Sequence, residues 1–163
     1  MTESAGTEPL VFPYRSRFQA PTTLDALSSV LLWFDQVQLD VIPRPVWLRC
    51  QLALAEGFTN AVRHAHRQLS RDQTIEIEAV IFPKEIELRI WDYGPVFDKD
   101  RKLDELPASQ SKSAGGGRGL RLLRDIADEL SYTRTSDHRN CLFIRKYYKP
   151  VHSGLLSDED DSI

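Results

Sequence analysis

Between Thr74 and Trp91 the chain changes polarity at every second residue through two runs, Thr74 to Phe82 and Glu85 to Trp91, separated only by Pro83 and Lys84. A period of two belongs to half-buried β-strands, and so short a link leaves the strands no arrangement but an antiparallel hairpin. Ile75, Ile77 and Ala79 then share one face, and Ile86, Leu88 and Ile90 share one face of the partner strand. Further strands are predicted at Leu10 to Gln19, where Pro13 favours an edge position, at Glu129 to Thr135 and at Cys141 to Tyr148. Helical periodicity appears in three other places. Leu24, Leu27, Val30, Leu31 and Phe34 recur at three and four residues after a start at Pro21 and Thr22 or Thr23, through about Gln38. A second helix follows the Pro43-Arg-Pro45 break, from Val46 to Gln68, and a third spans Arg118 to Ala127. Strands and helices fall into separate runs, which predicts an α+β fold: a two-layer sandwich of a mixed or antiparallel sheet with helices on one face.

A chain of 163 residues with 41% hydrophobic side chains supports one well-buried core. The expected organisation is a flexible segment at residues 1–9, one folded domain at 10–149 and a disordered acidic tail at 150–163. Asp158, Glu159, Asp160 and Asp161 carry −4 of a formal net charge of −3, so the remainder stands at +1. A body this close to neutral has no broad field for a phosphate backbone, and no direct nucleic-acid role is expected. Cys50 and Cys141 are too few for a disulfide framework, and the start of the chain carries neither a basic segment nor an apolar stretch. The expected setting is the reducing cytoplasm, with no membrane association. His64 and His66, two apart on a helix, point to different sides and do not suggest a metal site.

Three segments carry chemistry. In the second helix, four-residue spacing lines up Glu56, Asn60 and His64 beside an apolar face. A carboxylate next to a carboxamide can hold hydrated Mg²⁺ and orient a hydroxyl at a terminal phosphate. At the end of the hairpin, Asp92 in Trp91-Asp-Tyr-Gly94-Pro95 can accept from an exocyclic amine, and a glycine lets backbone approach a flat ring. The long irregular stretch from Asp92 to Gly117 ends in Gly115-Gly-Gly117-Arg118-Gly119-Leu120, glycine-rich backbone that opens a helix and so presents N–H groups to phosphate. It is neither a P-loop, which needs Lys and Ser or Thr after the last glycine, nor a dinucleotide-binding turn, which needs a strand before it.

Helix with Glu-x-x-x-Asn, hairpin ending in Asp-x-Gly, then a glycine-rich lid entering a helix: in this order the chain resembles the Bergerat-type, histidine-kinase-like ATPases. Glu56-Gly-Phe-Thr-Asn60-Ala-Val-Arg-His64-Ala is similar to the corresponding box of the anti-sigma-factor serine kinases, and the resemblance covers residues 10 to 148. It implies a histidine-kinase-like ATPase fold that uses ATP and Mg²⁺. The activity implied is a serine/threonine-protein kinase and anti-sigma factor that phosphorylates an anti-anti-sigma partner of the STAS type in a partner-switching system. A sigma factor as second partner and a homodimer are implied as well. By the same resemblance Glu56 is the general base or the orienting carboxylate for the attacking hydroxyl, Asn60 the Mg²⁺ ligand and Asp92 the reader of adenine N6, with Gly94 beneath the ring. His64, Lys112, Gly115, Gly117, Arg118, Gly119 and Leu120 complete the nucleotide-binding set, most of them in the lid. Two positions depart from the family pattern. Val96 stands where a second glycine is expected, and Asn140-Cys141 replaces a Gly-Thr pair, which would remove a small contact near the adenine. These departures leave open an alternative: a nucleotide-binding regulatory module without kinase activity.

Overall fold

The computed structural model describes residues 10–96 and 117–151. Strand β1 (Tyr14–Pro21) leads through a 3₁₀ turn (Leu24–Ala26) into α1 (Leu27–Val37). Helix α2 (Arg44–Asn60) continues as one π-helical turn (Ala61–Ala65). Strands β2 (Thr74–Ile81) and β3 (Glu85–Asp92) form the hairpin, and α3 (Gly117–Ile126), β4 (Glu129–Arg134) and β5 (Asn140–Tyr147) complete the described chain. The sheet order is β1-β2-β3-β5-β4, and every pairing among the described residues is antiparallel, which resolves the mixed-or-antiparallel expectation. Strand β1 sits at an edge, as Pro13 just ahead of it requires. Lys112 and Gly115 lie outside the described residues, as do residues 1–9 and 152–163.

All three helices pack on one face of the sheet. Ile75, Ile77, Ala79 and Ile81 of β2, Ile86, Leu88 and Ile90 of β3, and Leu142 and Ile144 of β5 are buried beneath them. Trp33 of α1 stacks on Phe18 of β1 at 5.6 Å between ring centres, and its indole N–H donates to Ser16 at 3.0 Å. Phe34 and Trp47 stack at 4.0 Å and lock α1 to α2. Helix α2 runs so close to the sheet that a Cβ at Gly57 would come within 2.4 Å of Ile90 Cδ1 and 3.1 Å of Leu142 Cδ2. Glycine at 57 therefore sets the height of the helix above β3 and β5.

The opposite face is a lattice of opposite charges. Glu78, 2% exposed, meets Arg17 at 2.7 Å, Arg15 at 3.0 Å and Arg89 at 3.6 Å. Glu87 pairs with Arg89 and Arg145, both at 2.8 Å, and the two guanidinium groups cover the faces of the Phe143 ring. Burial alone would push the Glu87 carboxyl up, but hydrogen bonds from the two arginines prevail and hold it below its ordinary value.

One helix boundary differs from the sequence expectation. The first helical segment starts after Thr23, one of the two expected starts, while the Thr22 hydroxyl turns inward to His66 and to the carbonyl of Gln73. The second helix does not stay α-helical to Gln68. At Asn60 it widens, and the N–H of His66 reaches back five residues to the carbonyl of Ala61 at 2.9 Å. The side-chain bonds of His66 accompany the change, since they hold that residue against Thr22 and Tyr93, which directly follow β1 and β3, rather than on the helix surface.

Candidate functional site

Glu56 and Asn60 lie one turn apart near the C-terminal end of α2, on the side that meets α3. The first turn of α3 comes so close that a Cβ at Gly119 would stand 2.7 Å from Glu56 Oε2 and 3.4 Å from Asn60 Oδ1. Glycine there allows a close approach rather than a turn. Asn60 is 8% exposed, and its Nδ2 is buried with no hydrogen-bond partner. An orphaned buried amide is costly, and natural folds keep few of them. A phosphate oxygen would satisfy this N–H₂, and a 180° turn of the amide would aim Oδ1 at a cation instead. Mg²⁺ is held by few protein oxygens and completes its shell with water and phosphate, so this pair of side chains fits it. Among the described residues no group of three or more His, Cys, Asp or Glu could hold a metal by itself.

Asp92 ends β3 and is 2% exposed. Its Oδ1 accepts from the N–H of Gly94 at 2.9 Å and from Asn140 Nδ2 at 2.9 Å, and its Oδ2 accepts from the Tyr132 hydroxyl at 2.5 Å. Burial, and next the neighbouring Asp92, push the Tyr132 phenol far above its ordinary range, so this hydroxyl serves as a proton donor. Asn140 also donates to the carbonyls of Gly94 at 3.1 Å and Pro95 at 3.3 Å, and Arg134 donates to Gly94 at 3.0 Å. At the position of the family's Gly-Thr pair, Asn140 forms a clasp around the Asp92-x-Gly94 turn. Gly94 abuts the π turn, where a Cβ would meet the Ala65 carbonyl oxygen at 2.8 Å and the Ala65 Cβ at 2.9 Å. Val96 is 74% exposed.

One helical column thus collects all three sequence segments: Gly119 closes on Glu56 and Asn60, and Gly94 closes on Ala65 one turn further along. His64 is exposed on the π turn between them, and Leu120 is buried under α3. Gly117 and Arg118 lie in the first turn of α3, whose leading backbone N–H groups lack helical partners.

Sequence reasoning missed the third member of this arrangement, His66. Its Nε2 accepts from the N–H of Tyr93 at 2.8 Å, so Nδ1 carries the proton and donates to Thr22 Oγ1 at 2.8 Å; Thr22 in turn donates to the Gln73 carbonyl. Burial lowers the His66 pKa, with Asp92 opposing it, and keeps the ring neutral. The relay ties the end of the helix to the Asp92-x-Gly94 turn. No local pattern signals it, since its members are contributed by residues 22, 66, 73 and 93. Cys50 and Cys141 take no part: both are buried free thiols, pushed up by burial to about 12 and about 11.

No helix among the described residues is long and apolar enough to cross a membrane. A family model described as a histidine kinase-like ATPase domain matches residues 20–146. The chain is similar to serine-protein kinase RsbW of Bacillus subtilis, 32% identical over 85 residues, which are 49% of this chain and 52% of that protein. The protein of the same name from Listeria monocytogenes is 31% identical over 85 residues, 49% of this chain and 54% of its own, and that from Staphylococcus epidermidis is 31% identical over 91 residues, 53% and 57%. The chain therefore spans about half the length of the curated relatives it matches.

Proposed function

We propose, from the premise that this chain belongs to the histidine kinase-like ATPase domain family, that it is a protein kinase acting on a serine or threonine of a separate partner. The observation that carries the reading is the orphaned amide of Asn60, held one turn from the Glu56 carboxylate under the glycine entry of α3. A polar group buried without a partner beside a carboxylate fits a place that a triphosphate and its cation complete. The relatives named as serine-protein kinases agree with it.

In this reading ATP lies along α2 with its base toward Asp92 and Gly94 and its phosphates toward Asn60. Mg²⁺, held by Asn60, neutralises charge on the phosphates when bound. Glu56 takes the proton from the partner's hydroxyl, that oxygen forms the new bond to the terminal phosphorus, and the bond to the ADP oxygen breaks. The leading N–H groups at Gly117, Arg118 and Gly119 receive the phosphates, with Lys112 and Gly115 as further nucleotide contacts. The partner is an anti-anti-sigma protein of the STAS type, and the kinase doubles as an anti-sigma factor, working as a cytoplasmic homodimer.

Labelled ATP, Mg²⁺ and candidate partner proteins test this directly: wild type should transfer phosphate to one of them and Glu56→Ala should not. Equal transfer by the two would end the kinase reading. The second reading, a nucleotide-holding regulatory module, is favoured by Val96 in place of a glycine. It predicts measurable ATP affinity with no transfer to any partner.

A further inference from the structure

On and beside the sheet, Arg15, Arg17, Arg89, Arg134, Arg139 and Arg145 each bond an acceptor of the chain itself. The guanidinium groups of Arg63, Arg67 and Arg71 make no hydrogen bond or ion pair among the described residues, and all three residues line one cavity of about 480 Å³. That volume suits a small molecule. The cavity lies where the end of α2 meets the passage from β1 to α1, and the backbone frames it. The N–H of Thr22 donates to the carbonyl of Arg71 at 3.3 Å, and the Thr22 hydroxyl bonds the His66 ring at 2.8 Å. Both Thr22 and His66 belong to the lining. The loop that carries Arg71 is therefore tied to the strand across from Arg63 and Arg67.

Three guanidinium groups against one carboxylate among the lining residues, that of Asp25, leave the cavity with a formal charge of +2. A phosphomonoester carries about −1.5 to −2 at pH 7 and offers three acceptor oxygens to donors that come in forks. A monocarboxylate would leave positive charge unmatched. Leu24, Val62 and Leu69 give the cavity an apolar wall for the remainder of a ligand. We propose that this cavity is a second ligand site, which binds small organic phosphomonoesters with the phosphate on the three arginines and the apolar body on the leucines and valine. None of the lining residues belongs to the nucleotide-binding set, so the inference goes beyond the proposed function and stands without it. All three arginines are exposed, so a ligand can reach them and substitution there leaves the core untouched.

Amide-shift titration of the isotope-labelled full chain with phenyl phosphate, at a pH well above the second phosphate pKa of about 6, tests the proposal, with benzoate as the carboxylate of similar shape. Phenyl phosphate should shift the backbone signals of Leu24, Leu69 and Arg71 and saturate with a dissociation constant of about 1 mM or tighter. Benzoate should bind about tenfold more weakly or worse. Replacing Arg67→Gln and Arg71→Gln together should weaken phenyl phosphate by about tenfold or more. Arg49→Gln removes an exposed arginine of α2 outside the cavity and should leave the affinity unchanged. Absence of saturation, an unchanged affinity in the double variant, an equal loss on Arg49→Gln, or benzoate binding as tightly as the phosphate overturns the site. Shifts confined to Gly117, Arg118 and Gly119 overturn it as well, because they place the phosphate on the entry of α3 and leave the nucleotide reading standing.

Discussion

Asn60 and Asp92 are buried to a similar degree, 8% and 2% exposed, and flank the same helical column, yet their hydrogen bonding is opposite. The amide of Asn60 has an orphaned Nδ2, whereas the carboxylate of Asp92 is bonded on both oxygens by the chain's own donors. A buried group left short is one whose partner arrives from outside; a buried group fully engaged is one that holds the fold together first. In the proposed function the end of the site near α3 serves chemistry, and the end near β3 serves rigidity.

The largest effect should come from the first end. Glu56→Gln keeps the size and loses the proton acceptor, and should lower phosphoryl transfer by about 10²–10⁴-fold, with analogue affinity held within a few-fold; initial rates and calorimetry on the same preparations check this. A loss of affinity equal to the loss of rate would mean that Glu56 holds the fold or the ligand instead. Next is Gly94→Ala, which drives a methyl into the backbone of Ala65 and should cost about 1–3 kcal/mol in urea unfolding. Gly119→Ala should cost less, because its methyl meets the movable end of Glu56. A paired measurement then sets the two polar groups against each other. Asn140→Ala deprives Asp92 and two carbonyls of a donor and should cost about 1–3 kcal/mol. Asn60→Ala has no bond at Nδ2 to lose and should stay within about 1 kcal/mol of wild type in the absence of ligand. Equal costs would abolish the contrast.

The smallest effect is a pH dependence. Because burial lowers the His66 pKa below its ordinary value of 6.5, the unfolded chain takes up the proton more readily than the folded one. The stability contributed by the neutral ring is complete above about pH 6.5 and drains away as the pH falls through that value toward the depressed one. Urea midpoints between pH 7.5 and 5.5 should therefore fall more steeply for wild type than for His66→Gln.

The strands and their inward faces were readable because alternation is local: Ile75, Ile77 and Ala79, with Ile86, Leu88 and Ile90, lie under the helices as their spacing requires. The juxtaposition of Glu56 and Asn60 was readable for the same reason; the close approach of Gly119 to them was not, since a glycine run opening a helix points equally to phosphate. What surrounds Asp92 was not. Tyr132 and Asn140 are 40 and 48 residues away in sequence and reach it only through the β3-β5-β4 order. The clasp made by Asn140 was hidden because it depends on a register that no local pattern states. The His66 relay and the widening after Asn60 escaped notice likewise, since a helix with one extra residue in a turn keeps the composition of an ordinary one.

That widening has a mechanical consequence. The five-residue bond from His66 to Ala61 resets the phase of the screw, so Glu56 and Asn60 before it face α3 while His66 after it faces Thr22 and Tyr93. A straight rod could not address both neighbours with side chains so near in sequence. Shortening Ala61–Ala65 by one residue would restore the regular pitch and swing the histidine away from threonine and tyrosine at once, uncoupling the contact with α3 from the Asp92-x-Gly94 turn.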